Sequence, residues 1–220
     1  MQPEAVVFDL DGTLIDSEII WDEIRRTMTA DAGLVWPEGA TQAMMGMSTP
    51  EWSAYMADSV GLPMPAAEIA DLTTQRMADH YRTNGLPLLP GAIEAVLRMS
   101  EVAPLAIASS SPRLLIDTFV EAMSLGEVLK VTVSTEEVER GKPAPDGYLR
   151  ACELLGVAPE HAVAIEDATN GILSALAAGM TVVTLPPHFH PPSADVLARA
   201  TVLNHLDELT PELIASLPQA

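Results

Sequence analysis

Ala5-Val6-Val7-Phe8-Asp9-Leu10-Asp11-Gly12-Thr13 decides how the chain is read. Four apolar residues, two of them β-branched, predict a short strand buried on both faces. Two carboxylates follow where that strand must end, and Gly12 turns the chain away. Residues two apart share a face of an extended chain, so Asp9 and Asp11 can address one ligand. Open α/β sheets bind ligands at the carboxyl ends of their strands. Two like charges this close repel each other and bind anions poorly. A bound cation resolves that, and a hard cation prefers oxygen ligands.

Working outward, four more apolar runs read as strands: Pro104 to Ala108, Val131 to Ser134, Ala162 to Ile165 and Thr181 to Leu185, with a weaker one at Ala200 to Leu203. Helical patterns separate them, such as Leu115, Phe119, Val120 and Met123, or Tyr148, Cys152 and Leu155. Strand-helix alternation predicts an α/β fold with a doubly wound parallel sheet covered on both faces. Residues 17–85 break the rhythm. They hold no convincing strand but four helical segments, Ser17 to Ala32, Pro37 to Met45, Thr49 to Val60 and Pro65 to Thr83, punctuated by glycines. The expectation is a catalytic core of residues 1–16 and 86–220 with an α-helical cap domain, 17–85, inserted as a lid over the strand ends.

Composition narrows the function. The 220 residues carry a net charge of −20 with only 11 basic residues, which argues against nucleic acid or an anionic membrane as partner. A single cysteine, Cys152, excludes an internal disulfide and suits a reducing cytoplasm. No signal-peptide pattern or membrane-length apolar run is visible. The acidic surface disfavours association, so a monomer is expected.

Four stations stand on the predicted strand ends. Asp9 and Asp11 form the first. Ser109, followed by Ser110, Ser111 and Pro112, forms the second; a hydroxyl and free N–H groups there can hold a phosphoryl oxygen, or the serines can cap a helix. The third is Lys142, one of two lysines, in Arg140-Gly141-Lys142-Pro143-Ala144-Pro145-Asp146. The fourth is Glu166-Asp167, ending Val163-Ala164-Ile165 and leading to Gly171.

In this order the stations resemble the haloacid dehalogenase superfamily. Asp16-Ser17-Glu18, Gly141 to Asp146 and Ile165-Glu166-Asp167-Ala168 narrow the resemblance to its helical-cap phosphatases and mutases, the β-phosphoglucomutase-like group. The resemblance implies that Asp9 is a nucleophile forming an aspartyl phosphate and Asp11 a general acid and base. It implies Mg2+ on Asp9, the Asp11 carbonyl and Asp167, with Glu166 reaching the metal directly or through water, and Ser109, Ser110 and Lys142 on the phosphoryl group. At 4 Å a like-charge pair costs about 4 kcal/mol at an effective dielectric near 20, so an anionic substrate needs both the cation and Lys142.

Asp11 disfavours dehalogenation, and the absence of lysine from residues 17–85 disfavours a Schiff-base phosphonatase. The alternative is a β-phosphoglucomutase-type isomerase. The cap-entry histidine and cap arginine of that enzyme align with Trp21 and a position near Thr49, which supply neither group. The expected activity is therefore hydrolysis of a small phosphomonoester, such as a sugar or polyol phosphate. A metabolite-binding regulator without turnover is a third reading. Trp21, Met44, Met45, Met47 and Thr49 are candidates for the leaving-group pocket, or simply core. Arg25 and Arg26 read as solvated helix residues, Cys152 as core, and His188 and His190 as part of a proline-stiffened loop.

Overall fold

The computed structural model of the protein describes residues 3–44, 47–188 and 191–218. The chain divides into two compact units, Met1–Asp16 with Leu86–Ala220, and Ser17–Gly85. Among the described residues the first unit contains six strands: β1 Ala5–Phe8, β2 Leu105–Ser109, β3 Val131–Ser134, β4 Ala162–Glu166, β5 Thr181–Thr184 and β6 Thr201–Val202. They form one parallel sheet in the order β3-β2-β1-β4-β5-β6. Every residue of β1, β2 and β4 is buried, as continuous apolar runs require. Ala5 and Val7 of β1 pack into a core that includes Tyr148 and Cys152 of α7 (Asp146–Leu155) and Ile172 and Ala175 of α8 (Thr169–Ala177). Val6 and Phe8 point to the other face and are buried too.

Strand order reverses at β1, the place where open α/β sheets bind ligands. Register then aligns the candidate residues. Phe8 pairs with Ile107 on one side and Ile165 on the other, and Ser109 pairs with Ser134. Asp9, Ser109 and Glu166 therefore all stand at the carboxyl edge. Beyond β1 the chain folds back on itself, with Leu14 and Ile15 N–H both reaching the Leu10 carbonyl and Gly12 N–H donating to Ile15 O at 2.7 Å. The segments leaving and re-entering this unit are tied together by Asp16 N–H to Pro87 O (2.8 Å) and Leu89 N–H to Leu14 O (2.9 Å).

The second unit is helical: α1 Glu18–Asp31, α2 Ala40–Met44, α3 Thr49–Tyr55 and α4 Ala66–Asn84. Met56–Val60 continues α3 with π-helical bonding, where the sequence predicts plain helix, and Gly61 ends it in the left-handed region. Ser48 and Glu51 form a capping box that starts α3, with Glu51 accepting from the Ser48 N–H and hydroxyl. Thr73 on α4 donates to Met28 Sδ on α1 at 3.2 Å. The remaining helices of the first unit are α5 Ala92–Ser100, α6 Arg113–Ala122, α9 Ala194–Leu197 and α10 Pro211–Ser216. No helix among the described residues is long and apolar enough to cross a membrane.

Candidate active site

Asp9 is the first residue past β1, anchored by its N–H on Ile165 O at 2.9 Å, and is only 5% exposed. Lys142 reaches it from the loop before α7. That loop is shaped by the Ala144 N–H on Gly141 O, by Ser174 of α8 donating to Ala144 O, and by a cis Lys142–Pro143 bond. The Lys142 ammonium lies 2.5 Å from Asp9 Oδ1 and 2.5 Å from Glu166 Oε1. Burial alone would push this ammonium down; Asp9 and Glu166 outweigh it and hold it above the ordinary lysine range.

Asp9, Glu166 and Asp167 each offer an oxygen within 4.8 Å of the others, and all three are buried. Burial raises the Asp9 carboxyl well above its usual range; Lys142 opposes this, and Glu166 and Asp167 add to it. Burial, reinforced by Glu166 and opposed by Lys142, pushes Asp167 up to about 8. One ammonium is thus set against three carboxyls in a water-poor site. That excess of hard oxygen donors fits a divalent cation such as Mg2+.

The turn after β2 sets its three serines in different surroundings. Ser109 is buried and its hydroxyl accepts the Ser111 N–H at 3.1 Å, while Ser110 is exposed. The Ser111 hydroxyl reaches the acidic pair, donating to Asp11 Oδ2. Ser134 of β3 holds this turn by donating to the Ser111 carbonyl at 2.7 Å. The sequence offers Ser109 to Ser111 as phosphoryl-binding or helix-capping hydroxyls and leaves open which of them faces the site; no spacing singles out Ser111. Tyr148 is missed. It reads as core, yet its hydroxyl donates to Glu166 Oε1 at 2.8 Å.

In the 17–85 unit, Trp21 is half-buried on α1, Met44 is buried at the end of α2, Met47 lies half-buried before α3, and Thr49 opens α3. Met45, like His190, lies outside the described residues. Arg25 is not solvated. Its guanidinium lies 5.0 Å from the Trp21 ring and 4.7 Å from the Trp52 ring, and it is 9% exposed.

Comparison with known proteins agrees with this arrangement. The chain is 32% identical to protein CbbY of Rhodobacter capsulatus, over 100% of this chain and 98% of that protein. It is 31% identical to hexitol phosphatase A of Escherichia coli K12, over 96% and 94% of the two chains. The crystal structure of CbbY from Rhodobacter sphaeroides in complex with phosphate superposes with a TM-score of 0.83 at 26% identity, covering 94% of this chain and 96% of that one. A family model for haloacid dehalogenase-like hydrolases matches residues 3–179, across all four stations and the intervening helical unit, and the chain belongs to that family of enzymes.

Proposed function

We propose that the protein is a Mg2+-dependent phosphatase that hydrolyses a small phosphomonoester, a sugar or polyol phosphate, through an aspartyl phosphate on Asp9. The observation that carries this reading is the buried Lys142 ammonium seated on Asp9 Oδ1, beside two further acids, at the carboxyl edge of the central strands. The names of relatives, hexitol phosphatase A among them, support the substrate class.

With Lys142 on Oδ1, Asp9 Oδ2 is the atom assigned to attack phosphorus; the O–P bond forms as the bond to the leaving alkoxide breaks. Asp11 gives its proton to that alkoxide and later takes one from the water that cleaves the aspartyl phosphate. Ser111, donating to Asp11 Oδ2, orients this acid. Lys142 offsets the repulsion between Asp9 and an incoming phosphate and, with the β2 turn of Ser109 and Ser110, holds its oxygens. Asp9 and Asp167 side chains and the Asp11 carbonyl would hold Mg2+, which supplies positive charge to the nucleophile and the phosphoryl oxygens. Selection among leaving groups is assigned to the 17–85 unit, with Trp21, Met44, Met47 and Thr49 as candidates, and the setting is cytoplasmic.

A phosphate-release screen over sugar, polyol and short-chain phosphates tests the reading. Turnover should stop in EDTA and return with Mg2+, and Asp9→Asn should lose at least about 1,000-fold in kcat while keeping its Tm. Full activity in Asp9→Asn removes the nucleophile assignment. Conversion of β-glucose 1-phosphate to glucose 6-phosphate, without phosphate release, decides for the mutase.

A further inference from the structure

We propose that Tyr148 is a positioning residue that commits Glu166 to Lys142, so that Glu166 is the anchor of the site's ammonium rather than a direct ligand of its cation. The inference rests on reading Asp9 and Lys142 as the phosphoryl-transfer site.

An ionised carboxylate has about four acceptor positions, two on each oxygen. Those of Glu166 are all engaged by the chain itself. Oε1 accepts from Lys142 at 2.5 Å and from the Tyr148 hydroxyl at 2.8 Å. Oε2 accepts from the backbone N–H groups of Asp167 at 3.0 Å and Ala168 at 3.3 Å. Glu166 is 1% exposed and Tyr148 is completely buried, so water does not compete for these bonds. Gly171 fixes the carboxylate from below: a methyl group there would overlap the Glu166 carboxyl, and its absence lets that group lie against α8.

Asp167 is different. The residue is 8% exposed, and its carboxylate takes a backbone hydrogen bond but no side-chain hydrogen bond from the described residues. Of the two adjacent acids, Asp167 therefore has acceptor capacity for a cation, and Glu166 has an ammonium to hold. The Lys142 ammonium lies 5.0 Å from the centre of the Tyr148 ring and 3.5 Å from its hydroxyl, so the one tyrosine both borders the lysine and orients the carboxylate that aims it.

The test separates the two roles with Mn2+ as a spectroscopic substitute for Mg2+, counted by the free-ion EPR signal, and calorimetric binding of inorganic phosphate to the metal-loaded protein. Asp167→Asn should weaken Mn2+ by more than about tenfold, as loss of a direct ligand does, whereas Glu166→Gln and Tyr148→Phe should change it by less than about threefold. Tyr148→Phe, which keeps the ring and removes only the hydroxyl, should lower kcat on p-nitrophenyl phosphate and weaken inorganic phosphate by about tenfold, the usual effect of losing a supporting hydrogen bond. Glu166→Gln losing Mn2+ as severely as Asp167→Asn overturns the assignment of Glu166. Wild-type kcat and phosphate affinity in Tyr148→Phe reduce the tyrosine to packing and overturn its part. If the wild-type protein binds Mn2+ but hydrolyses no phosphomonoester, the proposed function fails, while the Mn2+ and phosphate titrations still decide the present inference.

Discussion

Two glycines make room for the acids. A methyl group on Gly12 would meet the Asp167 carboxylate, and Gly12 also needs a φ of +88°, where side chains are disfavoured. Gly171 differs, because it sits in α8 with ordinary helical φ. On helix propensity alone Gly171→Ala stabilises by up to about 1 kcal/mol. The methyl group would nevertheless occupy the volume of the Glu166 carboxyl, which four hydrogen bonds pin in place. Gly171→Ala should therefore lower Tm despite the gain in helix propensity and lose kcat by about tenfold or more, since Lys142 loses its anchor. Melting curves and phosphate-release rates on the same preparations check this, and a variant with wild-type kcat would show that Glu166 can move without consequence. At this scale the sequence makes much of the site legible. Asp9, Asp11, Lys142, Glu166 and Asp167 are readable because chemistry and strand ends coincide. Ser111 and Tyr148 are not, because a turn's hydroxyl direction and a core tyrosine's partner depend on backbone geometry that no spacing rule encodes.

Among elements, the strands are the most legible, since each is a short apolar run that a two-sided sheet must bury. Both ends of β2 lie one residue later than the apolar run suggests; at the far end the backbone of Ser109 pairs with Ser134, and a ladder partner leaves no mark in hydrophobicity. The helical unit is less transparent, and Arg25 shows why. Trp21 and Arg25 lie four residues apart, on one helix face, but a charge in that position reads as solvated. The structure instead sets the guanidinium against both Trp21 of α1 and Trp52 of α3, whose ring centres are 5.6 Å apart, with Nε buried and making no hydrogen bond among the described residues. Burial lowers its pKa to about 10, with Glu18 and Asp22 opposing. A desolvated cation–π contact is worth about 2 kcal/mol, and the apolar stem adds packing, so Arg25→Ala should destabilise the protein by about 2–3 kcal/mol. Arg25→Lys should recover only part, lacking the planar face that stacks on indole. Urea unfolding followed by tryptophan fluorescence measures both; an Arg25→Ala variant as stable as wild type would mean that desolvation cancels the stacking.

For the whole molecule, the question is how a chain of net charge −20 tolerates three buried carboxyls beside one ammonium. Part of the answer is protons. Burial pushes Asp167 in the folded protein up to about 8 from its ordinary 3.8, and Asp9 is shifted in the same direction. Between about pH 4 and pH 8 the folded state then binds more protons than the unfolded state, so stability falls as pH rises through that window. Metal-free protein should accordingly melt lower at pH 8 than at pH 5.5. Surface carboxylates repel one another and push in the same direction, but in about 1 M salt the Debye length is about 3 Å and that contribution largely disappears. The buried contribution should persist in salt and shrink in Asp167→Asn. On the proposed function Mg2+ would replace the protons, so its stabilising effect should be larger at pH 8, where Asp167 more readily gives up its proton, than at pH 5.5, where the ion must displace that proton. Differential scanning calorimetry at both pH values, with EDTA and with Mg2+, tests the set. A Tm that rises across the window in EDTA and salt, or a pH dependence unaltered by Asp167→Asn, would show that the buried acids are not where the molecule stores its excess charge.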